Sequence, residues 1–158
     1  MKATSFQRNI SHPILYRLFL LKNLPMAFLA GLQVQQFTEA SAVVTTTYRY
    51  LTKNPFRSIY FAVLSMAAEL STGILAFAQV YEQPVKVSML VVGMQAQFFK
   101  KATGTVQFSC HDGNAIQTAI QTTIATGESV TLLCHSIGTN EQSEVVANFE
   151  FTWSFKRK

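Results

Sequence analysis

The stretch Ile59–Val80, IYFAVLSMAAELSTGILAFAQV, constrains this chain most. It reads as a helix that is apolar nearly all the way round. Such a helix is buried on most sides, either in a protein core or in a membrane. One carboxylate, Glu69, interrupts it. Burying an unpaired carboxylate costs several kcal/mol, comparable with the net stability of a whole domain. A chain retains such a group when it is paired, protonated or used, so Glu69 marks a candidate site. It also splits the stretch into uncharged segments, Ser58–Ala68 and Leu70–Tyr81, each shorter than a membrane span. An acid between them is costly in mid-bilayer. We therefore expect a soluble protein with this helix in its core.

Before the helix, Met1–Ser11 is expected to fray. His12–Leu21 carries Ile14, Leu15, Leu18, Phe19 and Leu21 opposite Arg17 and Lys22. That spacing predicts an amphipathic helix, with Ser11 as N-cap and Pro13 in the first turn. Pro25 should end it, and a short helix follows over Met26–Ala30. The stripe is expected to pack on a sheet; the alternative is a peripheral contact with a membrane surface. From Gly31 the period changes to two. Leu32–Gln36 and Val43–Tyr50 read as strands, joined by the turn Thr38–Ser41 into a hairpin.

After the helix, Glu82-Gln83-Pro84 turns the chain. Val85–Phe99 reads as one long strand with a bulge at Gly93. Lys100–Gly104 is a turn, Val106–His111 a strand, and Ala115–Ala125 a helix ended by Gly127. Val130–Ile137 is a strand, Gly138–Gln142 a turn, and Val145–Phe155 the last strand. Its Val145, Ala147, Phe149, Phe151, Trp153 and Phe155 share one face. The expected class is α+β: an antiparallel sheet of about six strands around a central helix, with extra N-terminal helices. The 158 residues favour one domain, with 1–30 a helical extension and 31–158 the core. Hydrophobic residues make up 49% of the chain and charged residues 13%, so part of the surface is expected to be covered in an oligomer.

The net charge of +5 is spread along the chain without a nucleic-acid-binding motif, so no nucleic-acid partner is expected. Two cysteines and no signal peptide point to free thiols in a reducing cytoplasm. Cys110-His111 and Cys134-His135 hold residue types that zinc accepts. On a strand, however, neighbours point to opposite faces, so each pair diverges and no metal site is expected.

Asn54 lies fifteen residues before Glu69 (69 − 54 = 15), and Tyr60-Phe61-Ala62 begins nine residues before it (69 − 60 = 9). In these residues and in its element order over Gly31–Phe155, the chain resembles a hot-dog protein of the PaaI-like acyl-CoA thioesterase group. The branch it is most similar to is a poorly characterised bacterial one with an N-terminal helical segment. That pattern places an Asn before a His-Gly-Gly and an acid nine residues after the His. Here the Asn and the acid are present, and Tyr60-Phe61-Ala62 replaces the His-Gly-Gly. The missing glycines narrow the approach of a carbonyl to the backbone.

The resemblance implies thioester hydrolysis with Glu69 and Asn54 as catalytic residues. Glu69 would activate water or attack the carbonyl. Backbone N–H groups of Phe61 or Ala62, at the helix N-terminus, would hold the oxyanion, and Asn54 would hold water or the carbonyl. Tyr60, Arg57, Lys100 and Lys101 are candidate ligand contacts, the cations for the phosphates of a CoA moiety carried by the substrate. No separate cofactor is implied. The site would lie between subunits of a homodimer or a dimer of dimers. The first alternative is a non-catalytic acyl-CoA or fatty-acid binding protein of the same fold. In a bland reading, Ser65, Thr72 or a Tyr satisfies Glu69, Asn54 simply forms a turn before Pro55, and the cations are solvated.

Overall fold

The computed structural model describes Ile10, residues 12–81 and residues 83–158. The expectations for Met1–Asn9, for Ser11 as a cap and for Glu82 in a turn lie outside these residues. In chain order the elements are α1 (Pro13–Asn23), α2 (Pro25–Ala30), β1 (Gln33–Phe37), β2 (Ala42–Thr47), α3 (Phe61–Tyr81), β3 (Val87–Phe98), β4 (Thr105–Cys110), α4 (Gly113–Thr126), β5 (Val130–Asn140) and β6 (Val145–Arg157). The strands form one sheet in the order β1-β2-β4-β5-β6-β3, antiparallel throughout. One face curls around α3, which packs on β2, β3, β4, β5 and β6.

α3 lies where the apolar stretch predicts it. By length and composition it could cross a membrane, but 67% of its most apolar window is buried in the sheet and neighbouring helices, which makes it a core helix. Below it, Phe108, Phe149 and Phe151 form an aromatic layer, with centroids 5.6 Å apart for the first pair and 6.0 Å for the second. A buried hydrogen bond of 2.8 Å between the hydroxyls of Ser71 and Ser136 ties the middle of α3 to β5.

Several expectations are corrected. The apolar stripe of α1 does not pack on the sheet: Ile14 is 65% exposed, Leu18 56% and Leu21 52%. The helix instead buries Tyr16 and Leu20, one turn apart, and the Tyr16 hydroxyl donates to the Leu32 carbonyl at 3.3 Å. A tyrosine can take the inward face because its one polar atom finds an acceptor there. β2 ends at Thr47, since the Thr52 hydroxyl bonds the Thr47 carbonyl and the Arg49 N–H and so folds Tyr48–Thr52 into a loop. Gly138 lies inside β5 and does not begin a turn. A side chain there would meet the Phe108 ring at 2.5 Å, so this glycine marks close packing. The turn comes later, with Ser143 at φ 62°. Val145 is exposed and Val146 buried, because the register slips at Gly138/Thr139. By contrast, the bulge expected at Gly93 is present, as a register shift between Val91 and Gly93 opposite β6.

Candidate active site

Glu69 projects from the first half of α3, just before its midpoint, into a groove of about 210 Å³. Its walls come from α1 (Phe19, Asn23), the following Leu24, α3 (Leu70, Gly73, Ile74, Phe77) and β3 (Met89). The lining is almost wholly apolar. Burial pushes the Glu69 carboxyl above its ordinary value. Among the described residues, nothing donates a hydrogen bond or an ion pair to it. Ser65 bonds the Phe61 carbonyl, and Thr72 donates to the backbone carbonyl of Glu69 while accepting from Trp153 Nε1 at 3.0 Å. Ser65 and Thr72, which the bland reading offered as partners, are therefore engaged elsewhere.

Gly73, one helical turn on, is the seat of this carboxylate. A Cβ at Gly73 would lie 2.9 Å from Glu69 Oε1 and 3.3 Å from the Trp153 ring. Sequence reasoning missed this residue. The signal was present, as a glycine four residues after the acid in a helix that otherwise avoids glycine.

The N-terminus of α3 is tied down by Tyr60, whose N–H donates to Thr52 and whose carbonyl accepts from Val63 and Leu64. The N–H groups of Phe61 and Ala62 meet no acceptor among the described residues, as the first turn of a helix requires. Tyr60 and Phe61 are exposed, with their rings edge to face at 5.0 Å. Ala62 and Glu69 are seven residues apart, which is about 10 Å along the axis. One carbonyl cannot touch both within a single chain.

Asn54 has a loop-closing job. Its side-chain oxygen accepts from the N–H groups of Phe56 and Ser58 at 2.9 and 3.2 Å, and its amide nitrogen donates to Ser58 Oγ at 3.0 Å. These bonds hold Arg57 at φ 59°. Arg57, Asn54 and Lys53 line a separate hollow with Tyr48 and Pro55. Lys101 Nζ reaches the Phe56 carbonyl beside it at 3.4 Å. Lys100 is paired with Glu144, whose carboxyl the hydrogen bond from Lys100 lowers. Within one chain the structure thus brings together Arg57, Lys101 and Lys53, a cation the sequence reading passed over. It does not bring them to Glu69, since the two hollows share no residue.

The two cysteines are free and buried, and burial pushes the Cys110 thiol up to about 12 and raises Cys134 further. His135 lies against Asp112, with Nδ1 3.6 Å from the carboxylate.

This arrangement, an antiparallel sheet rolled around one long helix, is the hot-dog fold. A structure from Pseudomonas aeruginosa described as a probable thioesterase superposes with a TM-score of 0.78 at 19% identity, over 95% of this chain and 99% of that one. A thioesterase from Haemophilus influenzae superposes at 0.65 with 15% identity, over 89% and 88%. A mutant thioesterase from Pseudomonas aeruginosa gives 0.69 with 13% identity, over 94% and 96%. At these identities the likeness is one of fold. No curated protein matches the chain in sequence. The chain belongs to the family described as a domain of unknown function, DUF4442, whose model matches residues 15–155.

Proposed function

We propose that the protein hydrolyses acyl thioesters, with acyl-CoA as the substrate class and Glu69 as the catalytic carboxylate. The observation that carries this reading is an acid without a partner at the wall of an apolar groove. The apolar lining suits an acyl chain, and desolvation makes the carboxylate a stronger base toward water than an exposed one. The free N–H groups of Phe61 and Ala62, at the positive end of α3, are the oxyanion donors. Eight and seven residues separate them from Glu69 (69 − 61 = 8, 69 − 62 = 7), so the reading requires a second copy: the helix start of one subunit meets Glu69 of the other. Met89 places the groove next to the sheet-edge strand β3, where Leu90, Val92 and Met94 are exposed. That supports a homodimer, or a dimer of dimers, that completes the site. Arg57 and Lys101 then serve the phosphates of CoA, and Asn54 acts by shaping their loop.

The second reading is an acyl-binding protein without turnover. It is favoured by the Phe61 ring, which crowds the helix start where the related pattern has glycine, with the Tyr60 ring edge to face against it. A panel of acyl-CoAs tested with the wild type and with Glu69→Gln separates the two. Hydrolysis lost in the variant supports catalysis by Glu69. Undiminished hydrolysis in the variant refutes it, and tight binding with no turnover in either protein supports the second reading.

A further inference from the structure

α1 and α2 carry an outward face that the sheet does not use. Ile14, Leu18 and Leu21 are exposed, and at 3.6 residues per turn they fall within an arc of about 60°. Met26 and Leu29 of α2, 63% and 51% exposed, add further apolar side chains. The same geometry puts Arg17 on one side of the stripe and Lys22 on the other, both exposed. The Arg17 guanidinium lies 5.6 Å from the centre of the Phe28 ring, which holds it at the edge of the apolar face. The charge here is one-sided. Residues 1–38 contain Lys2, Arg8, Arg17 and Lys22 and no Asp or Glu; the first acid is Glu39.

We propose that this face docks the protein on an anionic phospholipid bilayer. An apolar stripe bordered on both sides by basic residues is the form of a helix that lies in a membrane interface. The stripe enters the acyl boundary, and the long basic side chains reach back to the phosphates. A second copy of the same face fits poorly, because two basic surfaces with no acid between them would repel. Phe19, Asn23 and Leu24 of this helical hairpin also border the groove that holds Glu69. Phe19 and Asn23 lie on the far side of α1 from the stripe, so docking leaves that side of the helix to the groove and does not depend on the Glu69 reading.

The test is co-sedimentation of the full chain with phosphatidylcholine vesicles, with and without phosphatidylglycerol. The wild type is expected to sediment with the anionic vesicles and to be released as salt is raised. Arg17→Gln and Lys22→Gln should each weaken binding about fivefold. Leu18→Ser/Leu21→Ser should abolish it while thermal unfolding shows the chain folded. Binding unaffected by both sets of variants, equal binding to neutral vesicles, or no binding at low salt overturns the proposal. So does a loss of self-association in Leu18→Ser/Leu21→Ser by analytical ultracentrifugation, which makes the face a subunit contact. Glu69→Gln should bind vesicles as the wild type does, so a failed hydrolysis assay leaves this result standing, and the reverse holds as well.

Discussion

Replacing Gly73 by alanine tests whether the groove carboxylate is seated where the structure puts it. Two opposing terms set the stability. Alanine gains about 1 kcal/mol over glycine in a helix interior. Its Cβ would sit 3.3 Å from a Trp153 ring that is 3% exposed and held by its bond to Thr72, so the ring cannot move freely. Overpacking of this kind costs about 1–3 kcal/mol. The net expectation is a loss of about 0–2 kcal/mol, or a fall in melting temperature of up to about 8 °C for a chain of this size. Activity should change by more than stability does. The new methyl meets Glu69 Oε1 at 2.9 Å, and ordinary contact begins at 3.4 Å, so the carboxylate must retreat by half an ångström. If a misplacement of 1 Å costs about a hundredfold, the expected loss in kcat is about tenfold, with KM little changed. The assay is steady-state hydrolysis of the best acyl-CoA, run beside a thermal melt. A Gly73→Ala protein that melts higher than wild type and turns over at the same rate would refute both the seating of Glu69 and its catalytic role.

Two further outcomes follow from the same residues. Burial raises the Glu69 carboxyl above its unfolded value, so the folded state holds that proton to higher pH than the unfolded state does. The associated stability is complete below the ordinary value of 4.5 and is lost as pH rises through the folded one. Glu69→Gln should therefore gain melting temperature on the wild type as pH rises from 4 to 8, and a constant difference across that range would contradict the burial. For the Ser71–Ser136 bond, Ser71→Ala leaves the buried Ser136 hydroxyl alone and should cost about 1–3 kcal/mol in urea unfolding, whereas Ser136→Ala leaves Ser71 its 2.7 Å bond to the Ala68 carbonyl and should cost less. The double substitution should cost less than the sum of the two, and strict additivity would show that the hydroxyls do not meet.

The periodicities carried most of the fold. Period two over the last strand and the all-round apolarity of Ile59–Val80 located β6 and α3 to within two residues, because tertiary burial and local pattern agree there. Disagreement came where one feature has two physical causes. Gly138 looked like a turn because glycine punctuates loops, yet it is required by the Phe108 ring across the strand pair. The α1 stripe looked like a packing face, but a tyrosine with an internal acceptor took the inward position. Glu69 was legible as a site because a charge in an oily helix is costly under any fold. Its seat at Gly73 was not, since that depends on where Trp153 arrives from 80 residues away (153 − 73 = 80). Nor did sequence distance reveal that Arg57 and Lys101 share a neighbourhood apart from the acid.

The slip at Gly93 has a consequence for how these molecules avoid one another. β3 is a terminal strand of the sheet and runs for 12 residues, long enough to template another chain along its open hydrogen-bonding side. The extra residue puts its two halves out of phase. A foreign strand can ladder in step with Val87–Val91 or with Met94–Phe98, but not with both. One defect in the pleat thus leaves room for a short, defined pairing and discourages the continuous stacking from which fibrils grow.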